Sequence, residues 1–181
     1  MDPDTREEAA LPYYRTHTSM SLEGEAAVGR IAIWAAWLEV TLADFCAVLI
    51  DARTGVGTTL TDGMTGSQMI QMSKKLALSP YSPLSPELQQ RVVTVLASAK
   101  RALEQRNKIL HASAGGSLTP GSTAFSSRRR NAQGQLEAAI QTPEELDTMG
   151  AQLHAAMEEV WDCSGEVTDA LHRHRGRSRK I

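Results

Sequence analysis

Between Val28 and Leu49 the apolar residues Val28, Ile31, Trp34, Ala35, Leu38, Leu42, Phe45, Cys46 and Leu49 recur in steps of three and four. That spacing gathers them on one broad face of an α-helix. A strand would scatter them, because it returns to the same face every second residue. The most apolar stretch, Ile31 to Ile50, is interrupted by Glu39 and Asp44, so an amphipathic core helix is expected rather than a membrane span. The helix should run from about Ser19 to Ala52. Ser19 or Ser21 would cap it, Glu23 and Glu25 would sit at its positive dipole end, and Arg53 to Gly57 would stop it.

A chain dominated by such a helix is all-α unless its composition says otherwise. Phe, Trp and Tyr make up only 4% of the 181 residues, which disfavours a β-sandwich. The length suits one domain able to bury a core without staples. Two cysteines, Cys46 and Cys163, are too few for a disulfide scaffold or a Cys-based zinc site, and both read as small hydrophobes on helical faces.

The remaining elements follow from punctuation and periodicity. A loop rich in Gly and Thr leads to a helix over about Thr65 to Leu78. Pro80, Pro83 and Pro86 break the next connection. Ser85 as N-cap and Pro86 in the first turn open a third long helix, expected to continue to about Ser113 and to stop at Gly115-Gly116. Residues 117–141 change character. Two short segments, Ser122 to Arg128 and Gln135 to Ile140, flank a polar turn and read as a small β-hairpin. Thr142, Pro143 and Glu145 then form an N-cap, first-turn proline and capping box for a last helix. The expectation is an up-and-down bundle of about four main helices, residues 19–171, with the hairpin inserted at about 117–141. Residues 1–18 form a loose segment before it and residues 172–181 a basic tail after it.

Charge is unevenly spread. The total is −2, but Arg173, Arg175, Arg177, Arg179 and Lys180 fall in the last ten residues with no acid among them. The rest carries 14 basic against 21 acidic residues. A uniformly basic nucleic-acid binder is excluded, and any anionic partner must be met locally. The N-terminal run MDPDTREEAALPYY has no apolar core, so a signal peptide is not expected and a cytoplasmic protein without membrane association is. No phosphate-binding loop, dinucleotide fingerprint or zinc-protease motif occurs. His172 and His174 lack a third ligand nearby, so neither a metal nor a cofactor is expected.

One segment of the third helix looks chemical. Its apolar stripe runs Val92, Leu96, Ala99, Leu103, then Arg106, then Leu110, in alternating steps of four and three. Arg106 therefore stands where a core residue belongs, and a buried guanidinium needs a carboxylate, carbonyl or phosphate partner. Asn107 and His111 are i,i+4 neighbours on one face. Histidine can move protons near neutral pH, and arginine offers a rigid fork for phosphate oxygens. Asparagine can orient an imidazole or bind a substrate oxygen. Such a set suits cleavage of RNA without a metal, where the 2′-OH is an internal nucleophile. The alternative is structural: Arg106 paired with an acid such as Glu39 or Asp44, and His111 complementing the helix dipole.

The run Arg106-Asn107-Lys108-Ile109-Leu110-His111 resembles the Arg-Asn-x-x-x-His motif of the HEPN superfamily, the higher eukaryotes and prokaryotes nucleotide-binding domains. The order of elements is similar as well: a long first helix, the motif near the end of a later helix, and a closing helix. The resemblance implies a metal-independent endoribonuclease of toxin–antitoxin, phage-defence or RNA-processing type, with an antitoxin or defence-system partner. It implies a homodimer in which two motif helices share one composite site. Arg106 would bind the scissile phosphate, His111 would act as general acid/base or position the 2′-OH, and Asn107 would support the geometry. Lys108 and the Arg128-Arg129-Arg130 turn are candidate contacts to the RNA backbone. Some members are inactive, so a non-catalytic nucleotide-binding or protein-interaction module is the alternative function.

Overall fold

A computed structural model describes residues 20–51, 55–116, 121–130 and 136–178. The fold is mostly helical, with five helices among the described residues and a small antiparallel sheet before the last one. In chain order these are α1 (Leu22–Asp51), α2 (Val56–Thr61), α3 (Gly66–Ala77), α4 (Pro86–Leu110), strands β1 (Ser113–Gly116), β2 (Thr123–Arg130) and β3 (Leu136–Gln141), and α5 (Pro143–Ser178). The expected loose segment, residues 1–18, lies outside the described residues.

The helix starts are local chemistry. The Gly24 N–H donates to Ser21 Oγ at 3.1 Å, so Ser21 caps α1. Thr65 and Gln68 close a reciprocal capping box on α3. The Leu88 N–H donates to Ser85 Oγ at the start of α4. Thr142 and Glu145 form the expected box on α5: the Thr142 N–H donates to Glu145 Oε2 at 2.9 Å, and the Glu145 N–H to Thr142 Oγ1 at 3.3 Å.

The chain divides into two compact units, Met1–Ala32 with Arg106–Gly150, and Ile33–Gln105 with Ala151–Ile181. The second unit is helical. Its core takes Leu38, Leu42 and Phe45 from α1, Met69 and Ile70 from α3, Val92, Leu96 and Ala99 from α4, and Leu153, Val160 and Val167 from α5, all buried. Two glycines admit close approaches here. A Cβ on Gly57 would stand 2.8 Å from Ala47 Cα and overlap the backbone of α1, so α2 lies tight across that helix. A Cβ on Gly66 would stand 2.9 Å from Leu103 Cδ1, so α3 starts hard against α4. Cys46 and Cys163 are buried free thiols. Burial pushes Cys163 up to about 11, with Arg91 opposing and Glu166 adding to the shift.

The first unit packs Ala27 and Ile31 of α1, Ile109 of α4, Phe125 of β2 and Leu146 of α5, all buried. Arg30 pairs with Asp147 through Nε at 3.0 Å and Nη2 at 2.5 Å. Its sheet has the order β1-β2-β3, antiparallel throughout.

Three expectations change. The segment after α1 was expected to be a loop and contains α2. Gly115-Gly116 do not stop the third helix, which ends at Leu110; they lie on β1, opposite Ala124 and Thr123. The insertion is accordingly three-stranded rather than a hairpin. The reason is a cooperative choice: Ser113, Ala114, Gly115 and Gly116 form helix weakly, and an adjacent strand offers their backbone groups a full ladder. The last turn of α4 tightens first, as the Ala112 N–H donates to the Ile109 carbonyl at 3.2 Å. At the other end, α5 continues through Ser178, so His172 to Arg175 of the basic segment are helical.

Helix α1 is long and apolar enough, by length and composition, to cross a bilayer (Leu22–Ile50, mean hydropathy 1.8), a test that core helices of soluble proteins also pass. Its Ile31, Leu38, Leu42 and Phe45 are fully buried, whereas Ile33, Trp37 and Val40 on the opposite side are more than half exposed. Trp34 and Trp37 thus divide: Trp34 stacks on His154 with ring centroids 4.1 Å apart, and Trp37 faces outward.

Candidate functional site

The candidate residues lie at the C-terminal end of α4. The buried stripe of that helix runs Val92, Leu96, Ala99 and Leu103, as the sequence spacing requires. At the next step the stripe changes. Arg106 and Leu110 are half-buried, and Ile109 takes the fully inward position, 3% exposed. The Nε of Arg106 is buried.

Arg106 Nη1 donates to Asn107 Oδ1 at 2.9 Å. The Asn107 carbonyl in turn accepts from the His111 N–H at 3.3 Å. A single turn therefore links the three residues in series, from guanidinium to side-chain amide and from main chain to main chain. Asn107 and His111 are exposed. His111 is the first residue beyond the helix, where an imidazolium would complement the negative end of the dipole. The arrangement offers a fork held by its neighbour and an accessible proton-transfer group one turn away.

Lys108 is exposed but two residues from Arg106, and residues so spaced do not share a helix face. The structure does not bring it to Arg106. The arginine run lies on β2, not in a turn; the strand extends through Arg130. Sequence reasoning missed β1. Its pairing with β2 ties the arginine-bearing strand to the chain that leaves His111.

Other features stand apart from the motif. An open cavity of about 660 Å³ lies in the second unit, lined by Ala36, Glu39, Val40 and Ala43 of α1, by Thr58, Thr59 and Thr61, by Asp62 to Met64, and by Met69. No motif residue lines it. Among the described residues no group of three or more His, Cys, Asp or Glu is close enough to hold a metal ion. His154, between Trp34 and Glu158 Oε1 at 3.6 Å, is a half-buried packing residue. Comparisons with family models, with curated proteins and with solved structures returned no match.

Proposed function

We propose that this chain is a metal-independent endoribonuclease of HEPN type, an up-and-down helical bundle acting in the cytoplasm as a homodimer. The observation that carries the proposal is the Arg106–Asn107–His111 series at the exposed end of α4, with the guanidinium held on Asn107 at 2.9 Å. In the proposed reaction the RNA 2′-oxygen attacks the adjacent phosphorus and loses its proton to a base. The bond to the 5′-oxygen breaks, and that oxygen takes a proton from an acid. The products are a 2′,3′-cyclic phosphate and a 5′-OH. His111 and its counterpart in the second copy serve as base and acid. Arg106 stabilises the charge that develops on the phosphoryl oxygens. Asn107 is a positioning residue that holds the arginine fork. A toxin–antitoxin or phage-defence setting, with a cognate antitoxin or defence partner, follows from the same resemblance.

Incubation of the purified protein with total RNA in EDTA tests the reading. Cleavage to cyclic-phosphate ends, lost in folded Arg106→Ala and His111→Ala variants, is the expected result. A metal requirement, or cleavage that survives both substitutions, overturns it. The buried Nε of Arg106 favours the second reading, a non-catalytic module in which that arginine is a packing element. That reading requires no cleavage and a large loss of stability in Arg106→Ala.

A further inference from the structure

We infer that the outward face of α1 in the second unit is a docking surface for a cationic amphipathic helix of a protein partner. Every residue used lies in that unit, whereas the Arg106–His111 motif lies in the first, so the inference stands apart from the ribonuclease reading.

The face is apolar where the solvent side of a helix is ordinarily polar. From Ile33 to Val40 the exposed positions of α1 are Ile33, Ala36, Trp37 and Val40, with no polar residue among them. Ile33, Trp37 and Val40 are 56%, 57% and 52% exposed. They follow one another in steps of four and three, so they form a single ridge on one side of the helix. An amphipathic helix covers such a ridge with its own apolar stripe, because both repeat at the same spacing. Tryptophan is among the side chains enriched at the energetic centre of protein contacts. Trp34, one turn before Trp37, is by contrast covered by the ring of His154 in α5.

The open cavity adjoins the ridge through Ala36 and Val40, which line it together with Ala43, Met64 and Met69. Its lining also includes Glu39 and Asp62, and no Lys, Arg or His. Apolar walls beside carboxylates suit a Lys or Arg side chain, which has an apolar stem and a charged head.

Charge chooses the occupant. The segments 33–51, 55–66 and 151–172, which run through α1, α2 and α5, hold nine Asp and Glu and no Lys or Arg. Arg53, between the first two, is outside the described residues. Arg91, which reaches α5 from α4, is engaged with Glu166 at 2.9 Å. Asp44, one turn beyond Val40, is exposed at the end of the ridge. A two-fold contact with a second copy would bring two acid-only surfaces together, and like charges across an interface oppose association. RNA and anionic lipid are disfavoured on the same ground. A basic helix is attracted by the rim that repels them, and its apolar stripe meets the ridge.

The probe is a fluorescein-labelled synthetic helix of Leu and Lys, with Leu at the spacing of the ridge, set against a matched helix of Leu and Glu. Binding is read by anisotropy. The Leu–Lys helix is expected to bind saturably and to weaken as salt is raised, and the Leu–Glu helix not to bind. Trp37→Ser should weaken the Leu–Lys helix about tenfold or more, and Val40→Ser about threefold. Urea midpoints should stay unchanged, because both side chains are more than half exposed. Asp62→Asn should flatten the salt dependence. Tyr81→Ser, at an exposed aromatic on the connection between α3 and α4, should leave binding as it was. Equal affinity for the two helices overturns the inference, as does a loss no greater in Trp37→Ser than in Tyr81→Ser. Self-association in analytical ultracentrifugation that Trp37→Ser abolishes also overturns it, because a second copy then covers the face.

Discussion

Helix α4 behaves as two different segments. From Val92 to Leu103 its inward face is apolar and closed, with Val92 and Ala99 fully buried. From Arg106 to His111 the same helix carries a half-buried arginine, an exposed amide and an exposed imidazole. The two segments belong to different compact units of the chain, which divide between Gln105 and Arg106. A rigid helix end holds polar groups more accurately than a loop does, because packing behind it removes their freedom. The comparison predicts that substitutions in the two segments will separate stability from activity.

The largest effect should come from the polar end. Arg106→Ala and His111→Ala are each expected to lower RNA cleavage at least 100-fold, read as initial rates in EDTA. Their urea midpoints should stay close to that of the parent. Substantial unfolding by Arg106→Ala would erase the distinction between the two segments and favour the packing role.

In the apolar segment the order should reverse. Leu96→Ala leaves a cavity at a residue only 1% exposed, and should cost about 2–5 kcal/mol in denaturant unfolding. Cleavage per folded molecule should change little. Gly57→Ala sharpens the same point away from α4. The new methyl would overlap the Ala47 backbone, and a loss of about 1–3 kcal/mol is expected without any effect on RNA.

Smaller effects test the helix starts and the thiol. Thr142→Ala removes one side of the α5 capping box and should cost about 1 kcal/mol by thermal denaturation. Cys163 offers a pH test. Its thiol is raised from 9.0 to about 11 in the folded chain, so the folded state holds the proton longer than the unfolded state does. The resulting contribution is present in full below pH 9 and is lost as pH rises toward 11. Cys163→Ala should flatten the stability profile between those values, and an unchanged profile would show that the thiol is not desolvated.

Much of the helical architecture was legible in the sequence because its signals are local. Ser21, Ser85 and Thr142 cap the helices they were expected to cap, and the three-and-four stripes identified the buried faces of α1 and of α4 as far as Leu103. The motif too was visible, since Asn107 and His111 are related by one turn of helix whatever surrounds them. What could not be read were the choices settled by distant partners. Gly115-Gly116 look like a helix stop in isolation, yet they pair with β2 residues 123–124. Helix α2 has a single short apolar pattern, and its place depends on Gly57 fitting against Ala47. The stripe put Arg106 in a core position, but packing gave that place to Ile109.

The sequence by itself determined the four longer helices, the caps at Ser21, Ser85 and Thr142, and the linear order Arg106–Asn107–His111, because backbone propensity, capping and periodicity act over a few residues. Tertiary structure decided that the chain after His111 becomes a strand, that Phe125 turns inward, and that the arginine run is carried on β2 beside it. Those outcomes depend on ladder pairing between residues 13 apart, such as Ser113 and Ser126, and no local pattern specifies a partner at that distance.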